Sequence, residues 1–414
     1  MKGRRDVSDL AATVRQLWPD AEVRIAGPAS AGRDERAFRM LLSRHNPKVL
    51  VPADTPAAAS AAVLRPSAKD TYLESMFRRG LGAFAGTRLA SAVFRDGIVV
   101  SPAAGRSIEA YLSEVLHEEV RVSLAIGARR ANRKAVLGVH GRDGRHLGFA
   151  KVAHSELARR LVRAEVATLE HLAARPLTEL VVPRVLHAGT WEAHEVVVLG
   201  ALTPGPHHSR GALPAAAMRQ LAAVDGEVTE TIPASSWLHR LRRRVASIAT
   251  ADGARLLSLV DATLERHGAT VLRFGAWHGD WGSWNMVWSG TRPQVWDWER
   301  FDVDVPIGMD AVHFTAHPSL RQVGRAEAGR AALRRAATQA LAALDVPEDA
   351  APAVVDCYLL EIAARFVRDA SGSESDHGET LNPVARWHLD VIADRLGARA
   401  AGRRSADPTA QEAT

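Results

Sequence analysis

His278-Gly279-Asp280-Trp281-Gly282-Ser283-Trp284-Asn285, followed by Val295-Trp296-Asp297-Trp298-Glu299-Arg300, is the stretch on which the reading of this chain turns. It sets an Asp, an Asn five residues later, and a second Asp seventeen residues after the first. Moving the terminal phosphoryl group of a nucleoside triphosphate to a hydroxyl needs a carboxylate that orients and deprotonates the acceptor. It also needs oxygen ligands that hold Mg²⁺ on the phosphates. Asp280, Asn285 and Asp297 have the types and the order for base, metal ligand and second metal ligand. Asn285-Met286-Val287-Trp288, the turn at Ser289-Gly290 and Gln294-Val295-Trp296 predict a hairpin that delivers Asp297 beside Asn285.

The string resembles the aminoglycoside phosphotransferase and choline kinase group of small-molecule kinases, relatives of the protein kinases. Their signature is H-G-D-x-x-x-x-N followed by a D-W-E-like segment. Here it reads His278-Gly279-Asp280, Asn285 and Asp297-Trp298-Glu299, with Gly308-Met309-Asp310 beyond. The resemblance implies Asp280 as catalytic base, Asn285 and Asp297 as magnesium ligands, and supporting roles for His278 and Asp310. It also implies an α+β, two-lobed protein-kinase-like fold, with an antiparallel-sheet upper lobe and a mostly helical lower lobe.

Such an enzyme needs a lysine on the phosphates and a carboxylate to hold that lysine. Leu147-Gly148-Phe149-Ala150-Lys151-Val152 is a short apolar run with one Lys, the form of a strand that points an ammonium at phosphates. A helix is predicted from about Ser155 to Ala173, and its stripe of Ala158, Leu161, Val162, Val166, Leu169 and Leu172 includes Glu165. An ionised carboxylate facing a core is costly unless paired, and Lys151 is the expected partner. The apolar run Glu195 to Leu199 ends at Gly200, with Pro204-Gly205 following, the form of a hinge. The backbone at Leu199 is expected to meet the adenine. Ser123 to Asn132 holds one Gly where a phosphate loop of the G-x-G-x-x-G type has three. That loop either closes over phosphates through Arg129, Arg130 or Asn132 or is an ordinary arginine-containing turn. Asp297-Trp298-Glu299 lacks the Gly of D-F-G, so no switching of that segment is inferred.

A chain of 414 residues with 47% hydrophobic content predicts two or three units and a large core. The expected division is an N-terminal α+β extension over 1–119, an upper lobe over 120–203, a helical lower lobe over 204–398 and a disordered tail over 399–414. In the extension, strands are read at Glu22 to Ile25, Phe38 to Leu42, Lys48 to Pro52 and Gly97 to Val100, with a mostly helical stretch from Tyr72 to Phe94. Helices are expected at Gln322 to Leu344, Ala353 to Asp369 and Pro383 to Leu396.

The single cysteine, Cys357, excludes an internal disulfide framework and a cysteine-cluster zinc site and points to a reducing cytoplasm. No apolar stretch has signal-peptide or transmembrane length, so no membrane partner is expected. The net charge of +6 is modest, and its densest run, His239 to Arg244, fits a solvated helix face opened by Ser235 or Ser236. No motif for nucleic acid accompanies it. Six of the ten Trp lie between Trp277 and Trp298; packing is the better use for them, with only Trp281 and Trp284 placed to touch an acceptor. Asp356, Glu361 and Asp369 are either charge for a cationic acceptor or ordinary surface carboxylates.

The expectation is an enzyme that uses ATP, or GTP, and Mg²⁺ to phosphorylate a hydroxyl of a small molecule: an aminoglycoside, an amino-alcohol or a sugar. The alternative is a catalytically silent nucleotide-binding or scaffolding protein acting through residues 1–119.

Overall fold

The short apolar runs that carry Lys151 and Leu199 become neighbouring strands of one antiparallel sheet, as their covered, alternating side chains require. A computed structural model describes residues 2–32, 34–41, 49–64, 96–102, 105–125, 134–202, 211–371 and 377–397. The helical stretch from Tyr72 to Phe94, the loop from Ile126 to Asn132, Pro204-Gly205, the polar segment from Gly372 and the tail lie outside the described residues.

Two compact units emerge, one of Met1–His208 with Met286–Glu299, the other of Ser209–Asn285 with Arg300–Thr414. The first holds strands β1 (Glu22–Ile25), β2 (Arg36–Leu41), β3 (Val49–Pro52), β4 (Gly97–Ser101), β5 (Val120–Ala125), β6 (Ala135–Gly141), β7 (His146–Ala153), β8 (Val185–Trp191) and β9 (His194–Gly200). They form a nine-stranded sheet in the order β1-β4-β2-β3-β5-β6-β7-β9-β8. The junction is β3 with β5, Leu50 facing Leu124. The strands read in the N-terminal extension thus continue the sheet that carries Lys151. Phe38, Leu50, Ile98, Val122, Leu137 and Val198 share one core. Gly148 in β7 allows the close approach of β9, since a Cβ there would stand 2.0 Å from the Leu199 carbonyl oxygen.

The helix Glu156–Ala173 opens at Ser155, whose Oγ accepts from the Ala158 N–H. It buries Ala158, Leu161, Val162, Glu165, Thr168, Leu169 and Leu172. Thr168 therefore takes the place expected of Val166, which is only half-buried. The predicted hairpin forms as β12 (Met286–Ser289) and β13 (Arg292–Val295), turning at Gly290 with φ 62°. Val181 fastens it to the first unit: its N–H donates to the Pro293 carbonyl and its carbonyl accepts from Val295, both at 2.9 Å.

The second unit is mostly helical, around a small antiparallel sheet of β10 (Val228–Thr231), β11 (Val271–Trp277) and β14 (Asp302–Pro306). Trp237, Leu241, Val260, Phe274, Tyr358 and Ile362 are among its core residues. Here the helix expected from Gln322 to Leu344 begins at Ala326, turns from α to π over Ala336–Ala340 and ends in a 3-10 turn. An unexpected helix, Met309–Leu320, precedes it. Its buried His313 and His317 share the stripe of Met309, Val312, Ala316 and Leu320, and these polar residue types interrupt the apolar period there, which is why the pattern hid it. In the His239 to Arg244 run, His239, Arg242 and Arg243 are exposed as expected, with Arg242 paired to Asp261, whereas Arg240 and Arg244 are half-buried, Arg240 3.5 Å from Asp302 and Arg244 bonded to Glu361 at 2.5 Å. Among the described residues no helix is long and apolar enough to cross a membrane.

His388, on the helix His377–Leu396, is fully buried, and burial pushes its pKa down to about 4. A depressed histidine favours the native state above the unfolded pKa of 6.5 and loses that contribution as pH falls from there toward 4. His388→Leu should therefore show a smaller loss of Tm than the wild type between pH 6.5 and pH 4, by several degrees. Equal pH profiles for the two proteins would contradict a neutral native His388.

Candidate active site

In the first unit, Lys151 emerges from β7 against the helix Glu156–Ala173. Its Nζ donates to both Glu165 oxygens at 2.5 Å and to Asp297 Oδ1 at 2.8 Å. Glu165 is wholly buried and Lys151 nearly so. Burial opposes the ammonium charge, yet Asp297, Glu165 and Glu299 outweigh it and hold Lys151 above the ordinary lysine range. The burial of Glu165 is tolerable because its charge is matched at bonding distance.

Asp297 sits in the left-handed region at φ 73°, a conformation that Asp tolerates better than most residues. The next side chain, Trp298, is fully buried and donates its indole N–H to the Val295 carbonyl at 2.9 Å. That anchor fixes the backbone from which Asp297 and Glu299 project.

Lys134, just before β6, was not anticipated from the sequence. Its Nζ donates to Glu299 and lies 3.5 Å from Asp297 Oδ1. A signal was present. The chain has 53 basic residues of which five are Lys, leaving 53 − 5 = 48 Arg, and beyond Lys69 the only lysines are Lys134 and Lys151. Both converge on the Asp297 and Glu299 carboxylates. A compact ammonium suits a point contact where the wide guanidinium fork does not.

Glu165, Asp297 and Glu299 each offer an oxygen within 4.8 Å of the others. Hard oxygen donors of this kind suit Mg²⁺.

In the second unit the loop from His278 to Asn285 is held at several points. The N–H groups of His278 and Gly279 donate to the two oxygens of Asp310 at 2.7 and 3.1 Å. His278 Nδ1 accepts from the Asp280 N–H at 3.1 Å, and Arg365 donates to the Gly279 carbonyl at 2.8 Å. Burial pushes the Asp310 carboxyl up to about 7, against the pull of those two N–H donors. Gly279 has φ 81°, and a Cβ there would stand 2.3 Å from the Arg300 carbonyl oxygen, so the middle residue of H-G-D must be Gly. Asn285 Nδ2 donates at 2.9 Å to both the carbonyl and Oδ2 of Asp280. With its nitrogen turned to Asp280, Asn285 has Oδ1 as the atom suited to a cation.

The structure thus brings Lys151, Glu165 and Asp297 together in one unit, and Asp280, Asn285, His278 and Asp310 together in the other. Leu199 lies inside β9, in register with Phe149 on one side and Val185 on the other. Trp281 is fully buried, so of the two Trp expected near an acceptor only the half-buried Trp284 keeps accessible surface. Asp356 and Glu361 are neither surface groups nor available charge. Asp356 bonds His267 at 2.9 Å and Arg395 at 2.5 Å, and Glu361 accepts from Trp237 Nε1 at 3.2 Å besides Arg244. Asp369 lies 3.8 Å from Arg300.

The two units are together an α+β fold. Residues 142–344 match the phosphotransferase enzyme family, APH, a stretch that contains Lys151, Glu165, Leu199, Asp280, Asn285 and Asp297. Residues 142–344 are therefore a domain of the phosphotransferase enzyme family, in keeping with the motif resemblance. No curated protein matches the chain. Among solved structures it is similar to a thermostable mutant of aminoglycoside phosphotransferase APH(4)-Ia in complex with ADP and hygromycin B. The identity is 13%, the coverage 71% of this chain and 99% of that one, and the TM-score 0.47. It is similar also to choline kinase LicA from Streptococcus pneumoniae (13% identity, 68% and 97% coverage, TM-score 0.43). A putative fructosamine-3-kinase from Haemophilus somnus is a third (14% identity, 68% and 96% coverage, TM-score 0.37). The family match, not these likenesses, carries the assignment.

Proposed function

We propose that the chain transfers the γ-phosphoryl group of ATP to a hydroxyl of a small molecule, in a cytoplasmic setting. The observation that carries this reading is the Lys151 ammonium, bonded at once to both oxygens of Glu165 and to Asp297. A buried lysine so held is a preset positive charge for nucleotide phosphates. Glu165 fixes it, and the backbone near Leu199 receives the base of the nucleotide. Asp280 orients the acceptor hydroxyl and takes its proton.

Asn285 and Asp297 are the residues that would hold Mg²⁺, with Glu299 as a further oxygen donor beside Asp297. When bound, the ion neutralises charge on the phosphates. Lys134 pairs with Glu299 and Lys151 with Asp297. Hydroxyl acceptors in scope are aminoglycosides, amino-alcohols and sugars. With Asp356 and Glu361 occupied by internal partners, a polycationic acceptor finds less negative charge than the sequence offered.

The test is a screen of those acceptor classes with Mg²⁺ and ATP or GTP, using Asp280→Asn as the blank. Transfer above that blank to a member of one class supports the reading; ATP binding without transfer to any acceptor would favour a silent nucleotide-binding protein. Lys134→Ala is expected to raise KM for ATP by roughly 3- to 10-fold with a smaller change in kcat, as loss of one partly buried ion pair implies. An unchanged KM would leave Lys134 with a structural role only.

A further inference from the structure

The buried side of Asp280 holds a group to which the reading above gives no task. His313, on the helix Met309–Leu320, is 1% exposed and places Nε2 3.0 Å from Asp280 Oδ1. An ionised carboxylate only accepts, so Nε2 carries the hydrogen and Nδ1 is left as an acceptor. The hydroxyl of Tyr358, itself fully buried, lies 3.2 Å from that Nδ1 and is a donor of the right kind. Tyr358 comes from the helix Ala351–Ser371, so the imidazole is fixed from a second element.

The ring has little freedom. It stacks on His317 with centroids 4.2 Å apart and 18° between planes, and Trp284 stands edge-on at 5.8 Å. His317 Nδ1 lies 3.4 Å from the same Tyr358 hydroxyl. Burial lowers the pKa of both histidines, so the contact to Asp280 is a neutral donor on a carboxylate. The other carboxylate oxygen, Oδ2, accepts from Asn285. The two oxygens of Asp280 are therefore held by different residues, and rotation of the carboxylate about its Cβ–Cγ bond would break one contact or the other.

We infer that His313, locked by Tyr358, is a positioning residue that sets the rotation of the Asp280 carboxylate toward the acceptor. This rests on Asp280 being the base. Neither residue belongs to the H-G-D, Asn or D-W-E motifs. A base must present its lone pair along the line of the departing proton, and small misplacements cost large factors in rate.

The experiment uses the full chain with Mg²⁺ and ATP, with water as the acceptor of a slow hydrolysis, so that no natural acceptor is required. His313→Leu removes the donor, His313→Gln returns an amide N–H at a similar reach, and Tyr358→Phe removes the lock while keeping the ring that packs the core. The expected result is a fall in kcat of roughly 10- to 100-fold for His313→Leu with KM for ATP unchanged. His313→Gln should recover most of it, and Tyr358→Phe should fall between. Equal losses in His313→Leu and His313→Gln, or no loss in either, would overturn the inference. Nitrogen NMR of the imidazoles supplies a readout apart from activity. The Nε2–H tautomer of His313, with a proton shift that changes in Asp280→Ala, supports it, and the Nδ1–H tautomer defeats it. Absence of hydrolysis by the wild-type chain would count against the phosphotransferase reading alone, and the imidazole spectrum would then decide the contact by itself.

Discussion

Asp280→Asn is expected to lower phosphoryl transfer by at least about 100-fold while ATP still raises Tm to the same extent as in the wild type. The amide keeps the size of the side chain, so the loop from His278 to Asn285 keeps its shape. Its main-chain fastenings, the bonds of His278 and Gly279 to Asp310 and of Arg365 to the Gly279 carbonyl, do not use the Asp280 side chain, and the one oxygen of the amide still accepts from Asn285 or from His313, though not from both. What the substitution removes is a negative acceptor for the proton of the attacking hydroxyl. The Lys151, Glu165 and Asp297 cluster lies on other segments, so nucleotide affinity has no reason to change. Parallel measurement of kcat and of the ATP-induced shift in Tm checks this. A variant that transferred at the wild-type rate would remove Asp280 from the role of base.

The second large effect is expected at Lys151, where the outcome should split into two parts. Lys151→Met leaves Glu165, wholly buried, without its ammonium partner. Removing one member of a buried pair typically costs about 3–5 kcal/mol, because the remaining charge is desolvated and uncompensated. Nucleotide binding should be lost with it, as the phosphates lose their preset cation. Lys151→Met combined with Glu165→Leu should restore most of the stability, since an apolar pair of similar volume avoids the desolvation cost, yet restore none of the ATP response. Urea unfolding of the two single variants and the double variant, with and without ATP, measures both parts. If the double variant were as unstable as Lys151→Met, the pair would not be what holds that region together; if it regained ATP binding, Lys151 would not be the phosphate contact.

Several site features were legible because the relevant physics is local or strictly spaced. A lone Lys in an apolar run, and a Glu on the apolar stripe of the following helix, each break a pattern in a way that only pairing relieves. The bond from Lys151 Nζ to Glu165 is that relief. The hairpin between Asn285 and Trp296 was readable from its Ser289-Gly290 turn, and Gly290 does take the positive φ. Gly279 is required by the carbonyl of Arg300, a residue twenty-one positions away, so its presence could be seen but not its reason.

Other features depend on which helices come to lie side by side. The burial of Asp356 and Glu361 was not readable because the partners that bond them, His267 and Arg244, are 89 and 117 positions away. The helix Met309–Leu320 escaped notice because its polar residues face inward, satisfied by Asp280 and Tyr358.

The order of residue types along the chain, by itself, pointed to the proposed chemistry: a lysine strand, a glutamate helix, H-G-D with its Asn, then D-W-E. Reactions on phosphates need particular charges, and those are read directly from residue type. Only the tertiary structure decided that Lys134 reaches Glu299 across 165 positions and that His313 stands against Asp280 across 33. Such contacts are settled by how sheets and helices exclude water together, a property of the folded core that no short window of sequence contains.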